Sequence, residues 1–277
     1  MSLVATARIR ADRTTDEDHH MADRAKTPPP AKKAPAKAPR RSLWMIGGIG
    51  ALVAIVVAGG LIYLSQRSGN DASGGGSDAA QVAAGKLKGV DEVAKRFKGI
   101  PQDGAILGDP NATVTITEFA DLRCPACQKF ELDYFPAIVE KLIRTGKAKY
   151  EFQLWPILGT DSVLAAEAGI AAREQDMLYQ YSDLWYINQQ DESTDYATDA
   201  YVDGVAKALG LDLPAFQKAR QDEALWSPAI QDVQVIAAQR SFGGTPSFII
   251  TGPKGEKVLS GAIPTTETIT KAVKEVS

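Results

Sequence analysis

Cysteine and histidine are scarce in this chain of 277 residues, which contains two of each. The cysteines are Cys124 and Cys127, and the histidines are the adjacent His19 and His20. Two cysteines exclude a framework of several disulfides. So few thiol and imidazole groups also exclude a four-ligand zinc site outside the N-terminal tail. The sequence therefore predicts no metal site.

Basic charge is scarce beyond the first 42 residues. Residues 65–277 carry 21 Lys and Arg against 29 Asp and Glu, whereas residues 1–42 carry ten against five. Nucleic-acid binding needs a clustered basic face, so the acidic bulk argues against it. Pro, Ala and Lys dominate residues 27–41, and such a composition buries too little apolar surface to fold. Residues 1–42 are expected to form a disordered basic tail in the cytoplasm.

Residues 43–64 carry no charge and read LWMIGGIGALVAIVVAGGLIYL. A helix of this length extends about 33 Å and crosses a hydrocarbon core of about 30 Å. We expect one transmembrane signal-anchor helix here; the alternative is a cleaved signal peptide, which has a shorter apolar region and a small-residue cleavage site. Seven Lys and Arg and no acid lie between Arg24 and Arg41. This bias predicts a cytoplasmic N-terminus, a single pass through the cell membrane and an extracytoplasmic, periplasmic remainder.

Residues 65–86, in which Gly, Ser, Ala and Asp are frequent, are predicted to form a flexible linker, with a helix over 81–98 leading into the folded body. Residues 113–119 alternate with a period of two, which places Val114, Ile116 and Glu118 on one face of a strand. A helix over 125–145, expected to kink at Pro136, connects this strand to a second one, as in a parallel βαβ unit. The further predicted elements are a strand at 149–155, helices within 161–240, strands at 246–251 and 257–260, and a helix at 265–275.

The sequence Cys124-Pro125-Ala126-Cys127 lies at the predicted junction of strand and helix. Unpaired N–H groups and the helix dipole favour an anion there, so Cys124 is expected to be a thiolate at a lower pH than an ordinary cysteine. Cys127, three residues later, faces the same side and is placed to close a short disulfide with it. The pair is interpreted as redox-active; the alternative is an inert disulfide, which would stabilise little because its loop is so short.

These residues resemble the DsbA-like thiol:disulfide oxidoreductases of the thioredoxin superfamily, particularly the membrane-tethered bacterial type. The resemblance rests on Phe119-Ala-Asp-Leu-Arg-Cys-Pro-Ala-Cys127 after a strand, a long helical region, and Gly243-Gly-Thr-Pro-Ser-Phe248 opening a later strand. It implies an α/β thioredoxin fold over 87–277, with a helical insertion at 158–240. It also implies a cis bond between Thr245 and Pro246, which would form the substrate-docking end of a strand.

The resemblance further assigns Glu118 to a buried acid beneath the second cysteine, which exchanges a proton with Cys127. Burial of the carboxyl on an apolar face would raise its pKa; the alternative is a solvated strand end. In contrast to the best-known strong oxidants of the family, this chain has no His between the cysteines. The Pro-Ala pair predicts a weaker oxidant, unless Arg123 folds back over the thiolate.

The function implied by the resemblance is donation of disulfides to reduced secreted or envelope proteins. A quinone-linked membrane partner of the DsbB or vitamin K epoxide reductase type would reoxidise the pair, and no bound cofactor is required. Two alternatives stay open: a reductase or isomerase supplied with electrons across the membrane, and a membrane-tethered chaperone or binding module with a non-catalytic disulfide. A monomer is expected, since no separate dimerisation segment is evident.

Overall fold

The computed structural model describes residues 76–277. In chain order it contains α1 Gly76–Ala83, α2 Val90–Phe97, β1 Gln102–Asp103, β2 Ile106–Leu107, β3 Thr115–Ala120, α3 Pro125–Asp133, α4 Phe135–Ile138, β4 Lys149–Leu154, α5 Thr160–Arg173, α6 Leu178–Ile187, α7 Asp199–Ala208, α8 Leu213–Gln221, α9 Glu223–Gln239, β5 Ser247–Gly252, β6 Gly255–Leu259 and α10 Thr266–Val276. A π-helical turn, Val139–Ile143, follows α4. From β3 onward, the order of strands and helices matches the prediction.

The six strands of the described residues form one mixed sheet in the order β1-β2-β4-β3-β5-β6. Strands β3 and β4 are parallel, as the predicted βαβ unit requires, and every other neighbouring pair is antiparallel. The central position of β3 matters for function because the Cys-x-x-Cys sequence begins four residues after this strand ends.

Strand β3 is covered on both faces. Val114, Ile116 and Glu118 are buried on the face predicted from their spacing, which packs against the main core. Phe119 points to the other face, where it packs with Val233 of α9 and with Ile249. Because both faces of the sheet are covered here, the Glu118 carboxyl is removed from water.

The helix that follows the active-site sequence is interrupted at Tyr134, between α3 and α4. Pro136 has no N–H to donate to the Leu132 carbonyl, so the regular hydrogen-bond pattern cannot continue through this turn. The predicted kink is therefore present. The chain continues as a π-helical turn to Ile143.

The N-terminal part of the described chain differs from the predictions. The expected helix over 81–98 is two helices, separated where Gly85 and Gly89 adopt positive φ angles of 74° and 83°. Helix α1 also occupies part of the stretch predicted as a flexible linker, and it packs on α7. The short hairpin of β1 and β2 was not predicted.

Within residues 76–277, none of the helices combines the length and the apolar character that crossing a bilayer requires. The predicted anchor at 43–64 and the predicted tail at 1–42 lie outside the described residues, as does the first part of the predicted linker.

Helices α5 to α9 occupy the stretch predicted as a helical insertion. Their aromatic side chains are mainly core residues: Tyr181, Trp185, Tyr186 and Tyr201 are completely buried. These side chains belong to the same buried core as the sheet residues, so the insertion packs directly on the sheet.

Candidate redox site

Cys124 lies between strand β3 and helix α3, directly before the first helical turn. Its N–H donates to the Asp121 carbonyl at 3.0 Å, and its carbonyl accepts from the Gln128 N–H at 3.0 Å. Pro125 occupies the first turn, where the missing N–H costs no hydrogen bond. The sulfur is thus held beside the unpaired N–H groups that begin the helix.

The two cysteines differ in burial and in acidity. Both are free thiols; Cys124 is 8% exposed and Cys127 is completely buried. A hydrogen bond with Cys127 is the main cause that lowers the pKa of Cys124 from 9.0 to about 6; burial opposes the shift, and Thr245 and the N–H groups of Cys127 and Ala126 assist it. Burial raises the pKa of Cys127 well above its ordinary value, and Cys124 and Glu118 raise it further. At neutral pH the pair therefore holds one thiolate, on Cys124.

The loop before strand β5 lies against the first sulfur. The bond between Thr245 and Pro246 is cis, as the resemblance implied. In its protonated form Cys124 donates to the Thr245 carbonyl, at an Sγ–O distance of 3.6 Å. A groove of about 220 Å³ runs along this loop and is lined by Ala126, Gly243, Gly244, Thr245, Pro246, Gly261, Ala262 and Ile263.

Glu118 is completely buried on the strand that leads to the active-site sequence. Burial is the main cause that raises its pKa from 4.5 to about 7, and the charge of Cys124 adds to the rise. The Tyr150 hydroxyl donates to Glu118 Oε2 at 2.7 Å and moderates the shift, as does Glu131. A carboxyl with this pKa exchanges protons near neutral pH.

A second buried carboxyl, Glu131 of α3, adjoins Glu118. Burial raises the pKa of Glu131 well above its ordinary range, and the charges of Glu118 and Asp183 raise it further. Arg96 of α2 forms ion pairs with Asp183 and, at 2.7 Å, with the exposed Glu92. Two adjacent buried carboxyls cannot both ionise readily, so the pair carries at most one charge near neutral pH.

Sequence reasoning identified Glu118 but missed Glu131, Tyr150 and Asp183. A signal for Glu131 was present, since it is four residues after Cys127 and so lies on the same face of the helix. Tyr150 and Asp183 reach the site through strand pairing and helix packing, which leave no local pattern in the sequence.

Arg123 does not fold back over the thiolate. Its buried side chain turns into the helical insertion, where Nη1 lies 3.2 Å from Asp161 Oδ2 and Nη2 donates to the Glu192 and Thr194 carbonyls at 2.8 Å each. Arg123 therefore does not compensate for the missing His.

The structure brings the five predicted site residues together. The sulfurs of Cys124 and Cys127 are hydrogen-bonded, Thr245 with its cis partner Pro246 lies against the first sulfur, and Glu118 acts electrostatically on the second. The arrangement has the parts that thiol–disulfide exchange needs: a thiolate that keeps some exposure, a second sulfur hydrogen-bonded to it, and a nearby ionisable carboxyl.

A family model described as Thioredoxin matches residues 101–275, which is more than half of the chain. The chain belongs to the thioredoxin family. It is 28% identical over 150 residues to "Probable disulfide bond formation protein D" of Bacillus anthracis, a match that covers 53% of this chain and 69% of the relative. It is 26% identical over 156 residues to "Disulfide bond formation protein D" of Bacillus subtilis, covering 56% and 68% respectively.

Comparison with solved structures gives the same fold. The crystal structure of oxidised BdbD from Bacillus subtilis superimposes with a TM-score of 0.55 at 21% identity, covering 64% of this chain and 96% of BdbD. These findings confirm the predicted α/β thioredoxin fold. Together with the named relatives, they confirm that the chain is a DsbA-like thiol:disulfide oxidoreductase.

Proposed function

We propose that this thioredoxin-family chain donates disulfides to reduced secreted or envelope proteins, with Cys124 as the reacting sulfur and Cys127 as the resolving one. The observation that carries the proposal is the opposed acidity of the two thiols, with the pKa of Cys124 at about 6 and that of Cys127 far above it. A low pKa stabilises the reduced pair as a thiolate, which makes the disulfide form a better oxidant. The names of the Bacillus relatives refer to the same direction of reaction.

The proposed reaction begins when a substrate thiolate attacks the Cys124 sulfur of the oxidised pair. The bond between the cysteine sulfurs breaks, and Cys127 leaves and takes up a proton because its pKa is so high. A second substrate thiolate then attacks the substrate sulfur of the mixed disulfide, and Cys124 leaves as a stable thiolate. The substrate is oxidised by two electrons, and the enzyme pair is reduced.

Glu118 is the proposed proton donor to the leaving Cys127 sulfur. Its pKa of about 7 leaves it partly protonated at neutral pH, and its charge acts on Cys127. Replacing Glu118 with Gln is expected to alter the pH dependence of Cys127 release. Unchanged pH dependence would remove the proton-transfer role.

Thr245 and Pro246 are the proposed docking edge for the substrate. The groove beside them borders Ala126 in the active-site sequence, so a chain lying in it would bring its cysteine to the Cys124 sulfur. Backbone groups of an extended substrate would pair with the strand end, which suits a reagent that acts on many unfolded sequences.

The proposed setting is the extracytoplasmic side of the cell membrane, with residues 43–64 as a single-pass anchor and residues 1–42 in the cytoplasm. The uncharged run and the basic flank support this arrangement. A membrane partner of the DsbB or vitamin K epoxide reductase type would reoxidise the pair, and the short linker would raise the local concentration of that partner.

The proposal is tested by mixing the oxidised full chain with a reduced dithiol peptide. For the single-cysteine variants, the free thiol is first treated with oxidised glutathione and the chain is then mixed with a peptide that carries one cysteine. In Cys127→Ser, the peptide thiolate is expected to attack the Cys124 sulfur and release glutathione, so that a mixed disulfide with the peptide accumulates. Cys124→Ser, whose remaining thiol is buried, is expected to form none. In cells, thiol trapping should find the pair mainly oxidised. A mainly reduced pair would favour the reductase or isomerase, and an unchanged phenotype of Cys124→Ser would favour the chaperone module.

The Pro-Ala pair predicts a reduction potential below that of family members with Pro-His between the cysteines. Arg123 is turned into the insertion and does not supply the missing cation at the sulfur. A redox titration of the full chain against glutathione measures the potential. A value equal to or above that of the Pro-His members would contradict this prediction.

A further inference from the structure

Arg123, the residue before the reacting cysteine, has a buried guanidinium. The side chain is 6% exposed and makes two 2.8 Å hydrogen bonds to the Glu192 and Thr194 carbonyls and one 3.2 Å ion pair to Asp161. The guanidinium carbon also lies 5.2 Å from the centre of the Tyr196 ring. A buried charge is costly unless it is paired. Both terminal nitrogens of Arg123 are paired, whereas the buried Nε–H has no partner among the described residues.

The two carbonyl acceptors of Arg123 belong to the irregular segment 188–198, which joins α6 to α7 within the helical insertion. A segment without helix or strand has carbonyl groups that regular structure does not satisfy. Arg123 supplies donors to two of them and a cation to the nearby aromatic ring. The same guanidinium therefore fixes this segment of the insertion.

The turn that carries Cys124 is held to the insertion at further points. Gln189 Nε2 donates to the Leu122 carbonyl at 2.7 Å, and the Tyr186 hydroxyl donates to the Asp121 carbonyl at 3.2 Å. The Asp121 carboxylate accepts from the Arg123 N–H at 2.8 Å and also from the Ile157 and Leu158 N–H groups. The turn has few hydrogen bonds within itself, so its position depends on these hydrogen bonds to other parts of the chain.

We propose that Arg123 is a positioning residue that fixes the turn carrying Cys124 by tying it to the helical insertion. The inference rests on the proposed role of Cys124 as the reacting sulfur. Arg123 acts through geometry, since its guanidinium is directed at segment 188–198 and Asp161. The charged or titratable groups around it are Asp161 of α5, Asp121 of the turn and Tyr196 of the segment.

Position matters because several hydrogen bonds stabilise the Cys124 thiolate. They come from the Cys127 thiol, from the Thr245 side chain and from two N–H groups at the start of α3. Hydrogen bonds weaken steeply as distance and angle depart from their optimum. A turn released from the insertion would sample positions in which the sulfur loses some of these donors, and the thiolate would become less stable.

The test is the pH profile of alkylation of Cys124 in the reduced full chain, with the modified cysteine identified by mass spectrometry. Arg123→Met keeps the length and apolar contact of the side chain but removes its donors and charge. We expect the midpoint to rise by about one pH unit from about 6, which slows alkylation at pH 6 roughly five-fold. Arg123→Lys keeps the charge but has fewer directed donors, so its midpoint is expected to lie between those of the unmodified chain and Arg123→Met.

The matched control is Arg173→Met on α5, whose guanidinium pairs with the adjacent Glu174. Its midpoint should equal that of the unmodified chain. A wild-type midpoint in Arg123→Met, or an equal shift in the control, would overturn the role of Arg123. If Arg123→Met does not fold, a wild-type midpoint in Arg123→Lys overturns it. A midpoint near 9 in the unmodified chain would instead refute the proposed role of Cys124.

Discussion

Glu118 shows how burial of a single side chain couples stability to pH. Its strand places the carboxyl on a face covered by the main core, and the folded state raises its pKa from 4.5 to about 7. The folded protein therefore binds this proton more tightly than the unfolded chain does. The resulting contribution to stability is present below pH 4.5 and is lost as the pH rises through 7.

Replacing Glu118 with Gln removes this loss, because the amide has no charge to bury. Between pH 4 and pH 8 the variant is expected to gain about 3 kcal/mol in free energy of unfolding relative to the unmodified chain. Urea unfolding at the two pH values measures the difference. Glu140→Gln, at an exposed position on the π-helical turn, is the control and should show no such gain. If the free energy of unfolding of Glu118→Gln changed with pH in the same way as that of the unmodified chain, the result would contradict the buried location of this carboxyl.

At the scale of helices and strands, the sequence predicts those elements whose local pattern is strong. Alternation over 113–119 predicted the central strand and the burial of Glu118, and the helix kink followed from Pro136. The hairpin of β1 and β2 was missed because each strand has two residues, too few for an alternating pattern. Asp183, which lies near the buried acids, was not predicted because it belongs to a helix that is distant in sequence.

Helix α1 is held on α7 by a close approach that requires glycine. A Cβ at Gly204 would lie 1.9 Å from the Val82 carbonyl oxygen, and the Val82 side chain is buried in the core. The Asn188 side chain fixes the next part of the chain, because it accepts from the Lys88 N–H at 3.1 Å and donates to the Lys88 carbonyl at 3.0 Å. The chain leading to the folded body is therefore packed on the insertion from α1 onward.

Gly204→Ala tests this packing. Alanine normally stabilises a helix interior relative to glycine by about 1 kcal/mol. Here we expect Gly204→Ala to lower the free energy of unfolding, since the added methyl group displaces α1. Hydrogen exchange of residues 76–88 should become faster while thiol–disulfide exchange is retained. Ala200→Val, which adds bulk at an exposed position of α7, is the control. Unchanged exchange in Gly204→Ala would refute the contact.

At the scale of the whole molecule, the redox state and the folding stability are linked through Cys124. The folded reduced chain lowers the pKa of this thiol from 9.0 to about 6, whereas the oxidised chain has no thiol to ionise. Because the folded-state pKa is depressed, the contribution to stability is present above pH 9, declines as the pH falls and is lost through pH 6. Stabilising the reduced form in this way favours oxidation of substrates.

The stability of the reduced chain relative to the oxidised chain should consequently increase between pH 5 and pH 7. After allowance for solvent screening at this partly accessible sulfur, the gain is about 1 kcal/mol. Parallel denaturant titrations of the two redox forms at both pH values measure it. The Cys124→Ser variant, treated with and without reductant, is the control and should show no pH-dependent difference. If the unmodified chain showed no such gain in the stability of its reduced form, the result would contradict a thiolate stabilised by the fold.

The asymmetry of the thiol pair is tested most directly by alkylating the reduced full chain across the pH range and locating the label by mass spectrometry. The account predicts that Cys124 reacts with a midpoint at a pH of about 6 and that the buried Cys127 stays unmodified up to at least pH 8. Equal labelling of both cysteines, with a shared midpoint near pH 9, would contradict it.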